Sequence, residues 1–195
     1  MNKQKKRIIV CLSLLFLLGG VVLFTVQFIR VNQQFPPAIQ KQYELMTPVP
    51  YQQVSITAEK FEILGHEDLL SRDSRYESDG YDTSWAPGTY RILTAGVTIH
   101  NNTGSVQIID FTRMTLQSEA WHNGLYLEYF NYLNKDVPNL SISQMKLPPK
   151  GDVRVVLPFL ILDIHVPKNS WEHLDQRAYE LILSLYPEKT VIRLN

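Results

Sequence analysis

The chain has 195 residues, equal numbers of basic and acidic side chains, and one cysteine. All 19 acidic residues follow Ile29, whereas four of the 19 Lys and Arg precede Ile8, which leaves 15 against 19 and a net charge of about −4 on the C-terminal part. That mild acidity excludes an electrostatic pull toward nucleic acid or an anionic lipid surface. The lack of cysteine after Cys11 excludes a disulfide-stapled scaffold, so the domain must rely on its apolar core.

Ile8 to Ile29 carries no formal charge. As a helix this run would be about 33 Å long, the thickness of a bilayer core. Lys3, Lys5, Lys6 and Arg7 stand before it and only Arg30 follows closely. Positive charge at the end of a span stays cytoplasmic, so the N-terminus is expected inside and the remainder outside. A cleaved signal peptide has a shorter apolar region and a small-x-small cleavage site, and Gln27-Phe28-Ile29-Arg30-Val31-Asn32 offers no such site. The expected division is a cytoplasmic tail over 1–7, a transmembrane helix over 8–29, a linker over 30–50 and an extracytoplasmic domain over 51–195.

The segment Val31 to Pro50 contains Pro36, Pro37, Pro48 and Pro50 and reads as a semi-rigid stalk. From Tyr51 the apolar period becomes two. Val54, Ile56 and Ala58 alternate with polar residues, and Phe61 and Ile63 continue one residue out of phase, which a bulge near Glu59 explains. Gly65 to Gly88 is a polar, acidic connection with a short helix at Glu67 to Ser71. Leu93, Ala95, Val97 and Ile99 form the clearest strand. The turn Asn101-Asn102-Thr103-Gly104 predicts that Ser105 to Phe111 pairs back on it as a hairpin.

Met114 to Leu116 reads as a short strand, and Trp121 to Asn134 is aromatic-rich and fits helix or strand. Leu147-Pro148-Pro149-Lys150-Gly151 is a turn before Val153, Val155 and Leu157, and Pro158 marks an edge or a strand end. Ser170 to Gln176 holds one helical turn. Tyr179 to Leu185 and Val191 to Leu194, around Pro187-Glu188-Lys189, form a terminal hairpin. Many short strands separated by turns argue for an antiparallel β-sandwich.

Ala86-Pro87-Gly88-Thr89-Tyr90, Val97-Thr98-Ile99-His100-Asn101-Asn102-Thr103-Gly104, Phe111 to Leu116, and Leu147 to Gly151 before Val153 to Phe159 follow one another in a suggestive order. This order resembles the immunoglobulin-like (telokin-like) extracellular domains of small membrane-anchored or lipoprotein Gram-positive proteins. The resemblance covers roughly Tyr51 to Asn195. It implies an antiparallel immunoglobulin-like β-sandwich at the cell surface; together with the apolar run, the chain reads as mostly β, an N-terminal transmembrane helix followed by that sandwich. It carries over no catalytic residues.

Ser143-Gln144-Met145-Lys146 matches the Ser-x-x-Lys pattern of penicillin-interacting enzymes, but Ser-Asp-Asn and Lys-Thr-Gly are missing. The five histidines have no zinc-ligand spacing. Glu77, Asp79 and Asp82 lie in the densest carboxylate group and are the candidate ligands for a hard divalent ion, with a solvated acidic loop as the plainer reading. No cofactor is expected. Trp121, Tyr126, Tyr129 and Tyr132 are the candidate partner-binding residues, as an exposed aromatic platform; the plainer reading places most of them in the core. The sequence thus points to a non-catalytic binding or accessory module, presenting the loops 65–88 and 121–139 to a membrane protein or a cell-wall polymer and not to nucleic acid. A cell-wall hydrolase or transferase with an unrecognised site, or an ion- or ligand-sensing subunit, is the alternative.

Overall fold

A computed structural model describes residues 3–34, 39–72 and 85–195, with the side chains of the first helix from Leu12 onward. Glu77, Asp79 and Asp82, and with them the candidate cation site, lie outside the described residues. The chain divides into two compact units, 1–38 and 39–195.

The first unit holds one helix, α1 (Lys3–Gln34). Its apolar stretch has no hydrophilic face, and its described side chains are exposed throughout. Such a helix cannot bury itself against a soluble core, and it is long and apolar enough to cross a membrane.

The second unit is a β-sandwich. Its strands are β1 (Ile39–Glu44), β2 (Val49–Tyr51), β3 (Val54–Leu64), β4 (Tyr90–Asn101), β5 (Gln107–Ile109), β6 (Thr115–Ser118), β7 (Trp121–Gly124), β8 (Met145–Leu147), β9 (Asp152–Leu162), β10 (Glu180–Ser184) and β11 (Glu188–Arg193). Among the described residues, three short α-helices accompany them: α2 (His66–Arg72), α3 (Leu127–Leu133) and α4 (Lys168–Trp171). One sheet runs β1-β11-β10-β6-β7, a second runs β2-β3-β4-β9, and β5 pairs with β8 alone.

The central antiparallel ladder joins β3, β4 and β9. Its register shifts between Ala58 and Lys60, so the bulge expected near Glu59 is present. Leu93, Ala95, Val97 and Ile99 of β4 point into the main core, with Phe159 and Leu157 of β9 and Leu116, Leu181 and Ile192 of the opposite sheet. Ile92 on the other face of β4 joins a second cluster with Leu69 of α2 and Tyr129 and Tyr132 of α3. Both faces of one end of the sheet are therefore covered, and the alternation of β4 gives way to four consecutive buried residues, Ile92 to Ala95.

Three expectations are corrected. Among its described residues, the stalk expected over 30–50 is instead the end of α1, up to Gln34, and strands from Ile39. The domain begins at Ile39, because β1 pairs in parallel with the outer edge of β11 and β2 pairs with β3. Pro50 fits there because β2 is an end strand, where a missing N–H does no harm. The parallel pair also makes the five-stranded sheet mixed rather than purely antiparallel. Ser105 to Phe111 does not fold back on β4, since β3 and β9 already occupy both edges of that strand. The buried Asn101 sends the chain elsewhere: its Nδ2 donates to the carbonyls of Ser105 (2.7 Å), Pro148 (2.9 Å) and Leu147 (3.3 Å), which joins the end of β4 to the β5–β8 pair. The return from β8 to β9 turns through Lys150 in a left-handed conformation. A side chain at the adjoining Gly151 would collide with the Pro148 ring.

The aromatic segment closes the open edge of β9. Backbone groups face outward at every second residue of an end strand and need partners. Asn134 supplies them at Val156, donating to its carbonyl (2.8 Å) and accepting its N–H (2.7 Å). The N–H of Tyr126 donates to Pro158 O (2.9 Å), and Asn123 Nδ2 donates to Leu160 O (2.8 Å). Further along, Leu162 N–H donates to His165 Nδ1 (3.2 Å). Proline at 158 has no N–H that needs a partner on this edge. Asn134 also donates to Phe130 O (2.7 Å), one of the unpaired carbonyls at the end of α3.

Replacing Asn134 with Ala is expected to destabilise the domain by about 2–4 kcal/mol, because buried backbone groups lose their partners; the urea midpoint measures it. Burial also pushes the Tyr179 hydroxyl, which donates to Leu174 O, up to about 12. Between pH ~10, where an unfolded tyrosine ionises, and about 12, the unfolded chain binds fewer protons than the native one. Stability should therefore fall with rising pH by about 1.4 kcal/mol per unit for this group. Urea titrations at pH 9 and above pH 11 should show that fall, and Tyr179→Phe should make it shallower.

Candidate functional site

Of the four aromatics expected on an exposed platform, none is fully exposed. Tyr129 is fully buried, Trp121 and Tyr132 nearly so, and Tyr126 is half-buried. Tyr126 stacks on Tyr129 at 5.0 Å between ring centroids, and Tyr129 meets Tyr132 edge-on at 6.3 Å. Desolvation holds the Tyr126 and Tyr129 hydroxyls well above the usual tyrosine range, and Tyr126 donates to Glu128 Oε2 (2.7 Å). These rings cover one face of the β4–β9 ladder. The Ser143 to Lys146 motif runs from a loop into β8, so its two side chains do not lie one helical turn apart.

Trp121 does reach a site. It lines a cleft of about 400 Å³ together with His122 and Asn123 of β7, His165 and Val166 of the segment after β9, and Arg177. Two features of the hairpin between β6 and β7 build this cleft. Ser118 lies opposite Trp121, so only Glu119 and Ala120 make the turn. Glu119 carries a positive φ of 53°, a conformation that L-residues with side chains adopt rarely and at some strain.

Arg177 braces that turn. It enters just before β10, its side chain is only 8% exposed, and it reaches a segment 59 residues away in sequence. Its Nε donates to Ser118 Oγ (3.2 Å), and its Nη2 donates to Ser118 O (3.2 Å) and lies 3.1 Å from Glu119 Oε2. Its backbone is held in turn by Asn195, whose Nδ2 donates to Arg177 O (2.7 Å) while Oδ1 accepts from Tyr179 N–H (2.9 Å). The guanidinium also bears on the Tyr179 hydroxyl.

A guanidinium carries five donors and always keeps its charge. Here it lines a recess together with Trp121 and Val166. Glu119, the acid beside it, is 71% exposed. An ion pair with one partner so exposed is worth at most about 1 kcal/mol, so the Glu119 carboxylate is a weakly held neighbour. Nearby, His122 Nε2 lies 2.8 Å from Thr115 Oγ1, and His165 is oriented by the Leu162 N–H. The arrangement can hold an anionic group against an apolar wall.

Of the residues singled out in the sequence, the structure brings only Trp121 into this cleft. Arg177, Glu119 and His165 were not legible there: single charged residues in unrelated segments carry no spacing signal. Arg177→Ala, which strips the buried Ser118 of its partner, is expected to cost about 2–3 kcal/mol. Glu119→Gln should change stability by less than about 1 kcal/mol; thermal melts of the two variants check both expectations.

Comparison with known proteins adds a family and a fold. Residues 38–190 match a family described as a domain of unknown function (DUF5028). No curated protein matches the chain significantly. Among solved structures, the chain is similar to a conserved hypothetical protein from Bacillus anthracis, at 10% identity and a TM-score of 0.49, covering 78% of this chain and 95% of that one. It is similar to the yjhA protein from Bacillus subtilis, at 10% identity and a TM-score of 0.44, covering 78% and 99%. An uncharacterized β-sandwich protein from Clostridium difficile 630 is similar at 9% identity and a TM-score of 0.43, covering 82% and 99%.

Proposed function

We propose that this chain, which belongs to the DUF5028 family, is a membrane-anchored binding module of the bacterial cell surface that acts without catalysing a reaction. Helix α1 is the anchor, with the N-terminus in the cytoplasm and the sandwich outside; its apolar length and the four basic residues ahead of Ile8 support this. The ordered strands and turns of the sandwich favour the immunoglobulin-like, telokin-like type. The partner is a membrane protein or a cell-wall polymer. Nucleic acid does not fit a domain of net charge about −4.

The observation that carries the reading is the Trp121–Arg177 cleft. A recess that pairs apolar surface with a buried charge is the usual make-up of a ligand site, where apolar surface supplies affinity and a few polar groups supply specificity. The aromatic rings of α3 are spent on the core.

Two readouts test the proposal in cells. In a Cys11→Ser background, Ser143→Cys should react with a membrane-impermeant maleimide in intact cells; labelling only after permeabilisation would reverse the topology. A photoreactive residue at His122, beside the cleft, should capture a specific partner that the same probe at Lys146 does not. Capture at Lys146 alone, or equally at both, would move the site elsewhere.

A further inference from the structure

Resting on the reading of α1 as the membrane anchor, we infer that the turn between β10 and β11 is a lipid-contact point. Leu185 and Tyr186 enter the bilayer interface and hold the sandwich with its cleft away from the membrane.

Turns between strands ordinarily carry glycine, proline or small polar residues. This one carries Leu185 and Tyr186 ahead of Pro187, and the two large side chains are 59% and 85% exposed. Ile39, also exposed, begins β1 beside them, since it pairs with Glu188 at the start of β11. Three large side chains with apolar surface thus gather at one end of the domain, whereas an ordinary surface scatters them singly. Next to them Lys41 pairs with Glu188 (2.6 Å), and Arg113, which shares a recess with Tyr186, pairs with Asp110 (3.2 Å), so these charges cancel.

Connectivity decides what lies against this end. α1 ends at Gln34 and β1 begins at Ile39. Five residue steps span at most about 18 Å. β1 runs parallel to β11, so the chain enters β1 at the end that carries the β10–β11 turn. An anchored chain therefore keeps this tip within reach of the bilayer. A tyrosine suits that place, with its ring among the chains and its hydroxyl among the headgroups. The contact is apolar, so a domain of net charge about −4 needs no anionic lipid for it.

Strand β10 separates the tip from the cleft. Arg177 precedes its first residue, Glu180 pairs with Gln117 two residues before Glu119, and Leu185 follows its last residue. A tip seated in the interface leaves the Trp121–Arg177 cleft at the remote end, open to a partner in the wall or on a neighbouring protein.

The test reconstitutes the full-length chain in phosphatidylcholine vesicles that contain a nitroxide-headgroup lipid. A fluorophore on Gln53→Cys, in a Cys11→Ser background, reports the height of the tip without replacing it; Gln53 is exposed and follows Gln52 of the same recess. Ile164→Cys is the control, 80% exposed beyond the end of β9 that lies away from the tip. The nitroxide should quench Gln53→Cys about twofold or more above Ile164→Cys. Replacing Leu185 and Tyr186 with Ser should bring Gln53→Cys down to the control, with an unchanged thermal melt because both side chains are exposed; Tyr186→Trp should keep the quenching. Salt at about 1 M should leave it unchanged. Equal quenching at the two positions, no loss on the serine substitutions, or loss in salt would each overturn the inference. A fluorophore on the native Cys11, read with an acyl-chain nitroxide, separates the two readings. If Cys11 is quenched and Gln53→Cys is not, the lipid contact falls and the anchor stands; if neither is quenched, both fall.

Discussion

The structure turns on the outer edge of β9. This strand ends the four-stranded sheet, yet it lies at the heart of the domain, with Phe159 and Ile161 in the main core and Leu162 in the second cluster. Its outward backbone groups cannot be left unpaired where side chains exclude water. No further strand is added. Instead, the segment 123–134 supplies an amide from Asn123, a backbone N–H from Tyr126 and both ends of the Asn134 amide. Asn134 acts there as a borrowed peptide group. The chain also withholds a donor, since Pro158 has none to offer.

That closure explains the composition of the segment. To bring Asn134 and Tyr126 to β9, helix α3 must lie against the sheet, and a helix in that position needs large apolar side chains beneath it. Tyr129, Phe130 and Tyr132 fill that role, with Phe130 against Phe111 at 5.5 Å between centroids. An abundance of aromatics that suggests a binding surface when read linearly is here the packing that seals an edge.

Closing β9 in this way also shapes the cleft. Asn123 ties β7 to β9, and the chain after β9 turns back through His165 and Val166 toward the Glu119–Ala120 turn. A recess remains between these elements, with Arg177 at its base. The guanidinium is fixed by Ser118 of β6 and by the turn it supports, and its backbone is held by Asn195. Preorganisation of that kind lowers the ordering cost of binding. The cleft and the sandwich are therefore consequences of one packing solution, and α1 is a separate unit.

The sequence by itself determined the features that depend on neighbours along the chain. The apolar run of α1, the period-two strands at 54–63 and 93–99, the bulge at Glu59, the helix at 66–72 and the terminal hairpin all follow from local patterning, and the structure contains each of them. Strand β1 was hidden because, as an exposed outer strand, it shows no burial alternation to read. The pairing of β5 with β8 was hidden because it depends on both edges of β4 being taken already. Only the tertiary structure decided that Trp121, Tyr129 and Tyr132 are buried, and only it joined Arg177 to Ser118 and Glu119. The physical reason is common to all of these: periodicity reports which side of a segment avoids water, while edge pairing and the meeting of distant charges depend on which other segments fill the space beside it.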